Sequence, residues 1–210
     1  MKWINYFTLY NIPFYIYKLN KGDSIIYINY KKKCKSIIIT CGILHLLKIF
    51  TNQEIISLGI LGKENIVNSL TEQANCYYQL LAIEESFLIS FTWSDLFNKS
   101  NLHTNNHFIV NIIQTYQNTI NKYEMMNHIL IHKYTKNRII QLILFLCKEF
   151  GYTKKNSIIL PFQLSQITLS IATASNRSAV NRVMNKLNEN NAIAYSHNKY
   201  IYLIDPFKLI

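Results

Sequence analysis

Arginine is nearly absent from this chain: only positions 138, 177 and 182 carry it among 22 basic residues, the rest being lysine. Glycine (5) and proline (3) are scarce among 210 residues, and no glycine-rich loop stands ready to cradle a phosphate. Acidic residues number only 11. No paired carboxylates and no Ser/His/Asp set stand out, which argues against an enzyme. The four cysteines (34, 41, 76, 147) form no C-x-x-C and no zinc or iron–sulfur spacing. They read as reduced thiols, mostly core filler, in a reducing compartment. The longest apolar run, Ile139–Cys147, is far too short to span a bilayer, so no membrane partner is expected. The stretch MKWINYFTLYNIPFYIY is interrupted by Asn and Pro and lacks a small-residue cleavage site, unlike a secretory signal.

What is abundant is apolar, basic and aromatic. Half the residues are hydrophobic and 15 are Tyr, enough for a packed core. Heavy use of Ile, Asn, Lys and Tyr matches A/T-rich codons and hints at an organelle or a reduced bacterium. The net charge of +11 is uneven: from Ile131 onward 11 Lys and Arg face 3 Asp and Glu. A basic C-terminal third points to a polyanion, nucleic acid first; a solvated basic surface accounts for the same charge. Two pairs, His103/His107 and His128/His132, have the i,i+4 spacing that holds a metal on a helix, but neither has a third ligand nearby, and no metal site is expected.

Periodicity divides the chain into segments 1–102, 103–132 and 133–210. Between about 14 and 95, runs such as SIIYINY, SIIIT, ILHLLKIF, EIISLGIL and YYQLLAI predict short strands. NKGD at 20–23, Cys41-Gly42, TNQ at 51–53 and Gly62 divide them as turns. Many short strands in series predict a sandwich, roll or barrel. From His103 to His132 the residues Ile109, Ile113, Tyr116, Ile120, Tyr123, Asn127 and Leu130 step by fours and threes, a heptad seam. Such a helix packs on its own β domain or pairs with a second copy, and Asn127 would fix the register of a pair.

In the last segment, NRIIQLILFLCKEF predicts an amphipathic helix closed by Gly151 at the left-handed C′ position. A turn (TKKN) and a strand follow. Two short helices with a tight join come next, the first capped by Ser165 with Leu169 and Ala172 inward. The second is capped by Ser175 or Asn176 with Val180, Val183 and Leu187 inward. Two strands then flank Ser196–Lys199 as a hairpin. Helix, turn, helix and hairpin make a winged helix-turn-helix, whose second helix reads base edges in the DNA major groove. Arg177, Ser178, Asn181 and Arg182 fall on its N-terminal part, on one broad face opposite the apolar stripe. The guanidinium fork matches guanine O6 and N7, or a phosphate, in two parallel bonds. That is why a lysine-rich chain spends two arginines five residues apart. Lys186 and Lys199 are expected to neutralise phosphates.

The stretch LSQITLSIATASNRSAVNRVMNKLNENNAIAYSHNKYIYLIDPFKL, with HKYTKNRIIQLILFLCKEFG before it, resembles the DNA-binding domain of the Crp/Fnr superfamily. The likeness is to the global nitrogen regulators of cyanobacteria and red-algal plastids in particular. It covers Ile131 to Leu209; NKGDSIIY and TCGILHLLKI are similar to early strands of the family's β-roll. The resemblance implies an α+β fold: an N-terminal β-roll like that of cyclic-nucleotide-binding domains, a long dimerisation helix and a C-terminal winged helix. It implies a homodimeric transcription regulator on a palindromic site in double-stranded DNA, RNA polymerase as a further partner, and a plastid (chloroplast) or bacterial cytoplasmic location. Arg177, Ser178, Asn181 and Arg182 stand where the family contacts bases and phosphates, and Ser165, Ser175 and Asn176 where it touches phosphate. Ala174 replaces the turn's usual Gly.

The sensor departs from the pattern. The stretch LGKENIVNSLTEQANCYYQLLA holds no Arg, and Ile66 falls near the cyclic-nucleotide family's Gly, so a cyclic nucleotide is not expected. The arginines by which nitrogen regulators hold 2-oxoglutarate correspond to Cys76 and Thr119, and their acidic partner to Glu124. The cysteine cluster of the oxygen-sensing branch is absent. The competing reading is a β-roll small-molecule or protein-binding module whose winged helix contacts RNA or protein.

Overall fold

The computed structural model describes residues 2–27, 35–68, 75–99, 106–196 and 199–209. It divides into two compact units, Met1–Glu124 and Met125–Ile210. In the first, helix α1 (Lys2–Leu9) precedes strands β1 (Phe14–Leu19), β2 (Ser24–Tyr27), β3 (Lys35–Cys41) and β4 (Leu44–Phe50). There follow β5 (Ile55–Leu61), β6 (Ile66–Asn68), β7 (Cys76–Ala82), β8 (Ser86–Thr92), α2 (Trp93–Lys99) and α3 (Asn106–Ile131), which runs into the second unit. The strands form two antiparallel sheets, β1-β8-β3-β6 and β2-β7-β4-β5, closed on a core of Leu19, Ile37, Ile39, Leu44, Leu46 and Leu80.

Strand β3 is buried on both faces. Ile37 and Ile39 join the core between the sheets, whereas Ile38 packs outward with Ile89, Phe91, Trp3, Phe7 and Phe108. Burial on two sides explains the unbroken Ile37–Ile39 run. The turn after it needs glycine: Gly42 has φ 93°, and a Cβ there would lie 2.1 Å from Ser86 Oγ and 2.5 Å from the Glu85 carbonyl.

Helices α1 and α2 depart from the sequence reading, which has strands to residue 95 and no helix before His103. Helix α1 has no acidic residue in its first turn and no basic residue in its last to announce it, and is held by Trp3 and Phe7, rings that suit strands equally. Helix α2 does carry a signal. Thr92 Oγ1 accepts from the Asp95 N–H (3.3 Å), an N-cap hidden in TWSD, and donates to Asp95 Oδ2 (2.5 Å).

The seam expected on α3 lies at the edge of its contact with the roll. The stripe buried in the first unit is Phe108, Ile112, Thr115 and Thr119; in the part of α3 that belongs to the second unit, Met126 and Ile129 are buried. Of the expected seam, Ile109, Tyr116, Tyr123 and Leu130 are half-buried, whereas Ile113, Ile120 and Asn127 are exposed. The helix thus has both an inward face and an outward stripe with apolar positions, where the sequence alone left a choice. Residues 103–105 of the expected helix lie outside the described residues. Polar groups tie α3 to the roll: Thr119 Oγ1 accepts from the Ile66 N–H at 2.9 Å, and the Tyr116 hydroxyl donates to Asn68 Oδ1. Trp93 Nε1 donates to Ser36 Oγ at 2.7 Å.

The second unit contains α4 (Thr135–Phe150), β9 (Tyr152–Lys154), β10 (Ser157–Gln163), α5 (Gln166–Ala172), α6 (Arg177–Glu189), β11 (Ile193–Tyr195), β12 (Tyr200–Leu203) and a 3-10 turn, Pro206–Leu209. Its sheet runs β11-β12-β10-β9. The first residues of the expected TKKN turn form β9. Gly151 closes α4, but at φ −70°, ψ 153° rather than in the left-handed region. Glycine is needed there for space: a Cβ would meet the Cys147 carbonyl at 2.3 Å and Ile158 Cγ2 at 2.6 Å. The fold class is therefore α+β, with a roll of strands and a C-terminal winged helical unit.

Of the three cysteines among the described residues, Cys147 alone is buried core; Cys41 is exposed and Cys76 half-buried, and Cys34 lies outside the described residues. Burial pushes the Cys147 thiol up to about 11, which makes it inert near neutral pH. Among the described residues no three metal-binding side chains cluster, and no helix is long and apolar enough to cross a membrane. His128 is exposed and His132 half-buried. His103 and the side chain of His107 lie outside the described residues.

His45 is wholly buried, its Nε2 hydrogen-bonded to Ser57 Oγ at 2.7 Å and its Nδ1 without a partner. Burial pushes its pKa down to about 4. The fold therefore favours the neutral ring, a contribution complete above about pH 6.5 and lost as pH falls through 6.5 toward 4. Its full size is about 3 kcal/mol. Urea unfolding at pH 7 and pH 4.5 will show His45→Gln losing less stability on acidification than the parent; equal losses would contradict this role for the ring.

Candidate nucleic-acid interface

Helix α6 is amphipathic in a way that fixes which side chains face out. Val180, Met184 and Leu187 are buried at i, i+4 and i+7. Val183, expected inside, is half-buried and Met184 takes its place, because the stripe follows the four-residue step on from Val180. Ser178, Asn181, Arg182 and Lys186 are exposed away from the stripe, and Arg177 is exposed at its margin, about 20° from Met184 by the 100° step. Asn185, which the sequence reading missed, lies at the middle of this face by the 100° step and is also exposed. Among the described residues no carboxylate forms an ion pair with Arg177, Arg182 or Lys186. Their charge remains available to an anion.

Caps orient the helix. Asn176, at φ −74° and ψ 150°, accepts from the Ala179 N–H at 2.8 Å. It is the cap of α6, and the alternative Ser175 is not. Ser175 Oγ instead donates to the Thr173 carbonyl at 3.0 Å and reaches Thr135 Oγ1 at 3.5 Å. Ser165 caps α5 by accepting from the Thr168 N–H at 2.9 Å. The Ser178 hydroxyl turns back to Asn176 Oδ1 at 3.0 Å, so it serves the cap first. Gln166, also missed in sequence, donates from Nε2 to Asn181 Oδ1 at 2.7 Å. That bond braces Asn181 through its oxygen and leaves its amide N–H groups without a partner among the described residues. No periodicity reveals a bridge between two helices; only the packing of α5 on α6 brings these amides together.

Arg138 is used differently from the other two arginines. Half-buried on α4, it donates from Nη2 to Thr135 Oγ1 at 3.3 Å, and its Nε is buried without a partner. Thr135 in turn meets Ser175, so this chain of contacts ties the start of α4 to the turn between α5 and α6. At the hairpin, Lys199 is exposed at φ 59°, and its N–H donates to the Ser196 carbonyl at 2.9 Å. His197 and Asn198 lie outside the described residues.

The expected effector positions lack cations. Thr119 is buried, and its hydroxyl is taken by the Ile66 N–H and the Thr115 carbonyl. Cys76 is half-buried and Glu124 exposed.

The tight join between α5 and α6 has a left-handed residue. Ala174 has φ 45°, with the Ser175 N–H reaching the Ser170 carbonyl at 2.9 Å. An L residue there costs on the order of 1 kcal/mol relative to glycine, partly offset by the freedom glycine adds to the unfolded chain. Ala174→Gly will therefore raise stability in urea unfolding by roughly 0.5 kcal/mol; a loss would show that the turn is not strained.

No family model matches the chain. It is 27% identical over 221 residues to an HTH-type transcriptional regulator of Porphyra purpurea, covering 99% of this chain and 85% of that one. It is 31% identical over 98 residues to the global nitrogen regulator of Synechococcus elongatus, covering 47% of this chain and 44% of that one. Among solved structures, FixK2 from Bradyrhizobium japonicum superposes with a TM-score of 0.71 at 12% identity, covering 94% of this chain and 96% of that one. A transcriptional regulator of the CRP/FNR family from Thermus thermophilus gives 0.67 at 16% identity, covering 93% and 96%. In sequence the chain is thus similar to an HTH-type transcriptional regulator and to a global nitrogen regulator, and in fold to regulators of the CRP/FNR family.

Proposed function

We propose that the chain is a sequence-specific DNA-binding transcription regulator that acts as a homodimer on a palindromic site, linked to nitrogen control. The observation that carries this reading is the outward face of α6: two exposed guanidinium groups, without an ion pair among the described residues, flank a braced asparagine, while Val180, Met184 and Leu187 are buried. A rod of this kind fits the major groove, where forked donors meet guanine O6 and N7. Arg177 is assigned to guanine and Arg182 to a base or a phosphate. Asn181 and Ser178 are assigned to base edges or backbone, and Lys186 and Lys199 to phosphates. Backbone N–H groups at the starts of α5 and α6, beside Ser165, Ser175 and Asn176, supply further phosphate donors.

The outward stripe of α3, Ile113, Ile120 and Asn127, supports pairing with a second copy. Segments 1–102, 103–132 and 133–210 then serve as sensor-like roll, dimer helix and DNA-binding domain. Two recognition helices related by a two-fold axis would contact half-sites about 34 Å apart. RNA polymerase is the natural further partner of such a regulator. A/T-rich residue usage supports a plastid location, with a bacterial cytoplasm as the other option.

The family's effectors do not fit these residues. A 2-oxoglutarate dianion held by the family's mode needs arginine; Thr119 offers one hydroxyl already engaged with the Ile66 N–H, and Cys76 offers no charge. Regulation by that mode is not assigned to this chain.

Two substitutions separate base reading from charge. Arg177→Ala will cost roughly 1–3 kcal/mol on the selected duplex and much less on random DNA. Lys199→Ala will weaken both alike and flatten the salt dependence. Equal losses for Arg177→Ala on both duplexes would contradict base reading at that position. In sedimentation, Ile113→Lys with Ile120→Lys will shift the protein from dimer to monomer; an unchanged dimer would remove α3 as the interface.

A further inference from the structure

The roll unit carries a cavity that the DNA-binding reading does not use and on which this inference does not depend. Its volume is about 390 Å³, within the size range of small-molecule sites. It lies on the α1 side of the β1-β8-β3-β6 sheet. Ile16 and Ile89, paired across β1 and β8, contribute its floor, with Trp3 and Ile4 from α1 beside them and Phe87 at the edge. Ile89 and Trp3 belong to the outer aromatic cluster. The site is therefore on the opposite face of the sheet from the core between the two sheets. Ile16 remains 53% exposed and Phe87 38%, apolar surface that an occupant would remove from water.

Charge defines the rest of the lining. Lys2 Nζ donates to Asn111 Oδ1 at 2.6 Å, a neutral acceptor that leaves its charge uncompensated. Lys63 is exposed, and among the described residues it makes no ion pair. The turn carrying it is built before any ligand arrives. Glu64 sits at φ 64°, its N–H donates to the Ile39 carbonyl at 3.0 Å, and Asn65 Oδ1 accepts from the Gly62 N–H at 2.8 Å. A non-glycine residue held in the left-handed region by such bonds is the sort of strain that occurs at ligand clamps. Two lysines against one glutamate leave the lining with a net charge of +1. No arginine lines the site, so there is no fork for a phosphate or sulfate dianion, and Glu64 would repel a second negative charge.

We propose that this cavity binds a small amphipathic monocarboxylate, its apolar body against Ile16, Ile89 and Trp3 and its carboxylate at the lysine-edged rim. The test is calorimetric titration of the full chain with decanoate and with decanol, repeated on Lys63→Ala and Ile16→Trp. Circular dichroism establishes that each variant is folded, and Lys63→Ala lies on an exposed turn where folding is not at stake. Decanoate should bind the parent more tightly than decanol does. Lys63→Ala should weaken decanoate roughly threefold to tenfold and leave decanol unchanged. Ile16→Trp, which fills the cavity, should weaken both. No decanoate binding below about 1 mM, equal affinity for decanol, or decanoate binding indifferent to both variants would overturn the proposal.

Discussion

Burial of Val180, Met184 and Leu187 decides which way α6 faces, and every functional statement about the second unit depends on it. These side chains leave water as one stripe, a gain of roughly 2 kcal/mol each by area. The helix has no comparable gain in any other rotation. Once the stripe is seated, Asn181 and Arg182 project away from it and Arg177 is exposed at its margin. Strain at Ala174 and the cap at Asn176 bend the chain so that α5 meets α6 closely, and that closeness lets Gln166 hold Asn181.

The same economy governs the roll. Strand β3 gives its two faces to two cores, one between the sheets and one beneath the helices. Helix α3 is held to the second of these by aromatic packing, by the Thr119 hydroxyl bonded to the Ile66 N–H and by the Tyr116 hydroxyl bonded to the Asn68 side chain. Thr119 has a double bearing: its hydroxyl satisfies the Ile66 N–H and donates to the Thr115 carbonyl, so it docks the helix on the roll.

Much of this was legible before any coordinates. The strands announced themselves because β-branched runs between turn residues have few other uses, and the winged unit because caps, inward stripes and a hairpin appear at the required spacing. Ala174 was recognisable as a substitution for a left-handed glycine, and its φ of 45° agrees. The failures have physical causes. Trp3, Tyr6, Phe7 and Tyr10 do stand at helical spacing, but over little more than two turns, and aromatic residues favour strands as readily, so packing decides for the helix. On α3 two apolar stripes lie side by side, so the sequence found a regular one without knowing which edge the roll would cover. Gly151 was read from its position alone, whereas crowding by Cys147 and Ile158 is what demands it. Asn185 and Gln166 were passed over because polar residues on an exposed face look alike until a neighbour engages them.

The most direct test is selection of bound sequences from random duplex DNA by the full-length protein, with and without 2-oxoglutarate. The account predicts an imperfect palindrome whose half-sites contain guanine and lie about 10 base pairs apart, enriched to the same degree in both conditions. Binding without any enriched sequence, or enrichment of single-stranded RNA in place of duplex DNA, would contradict it.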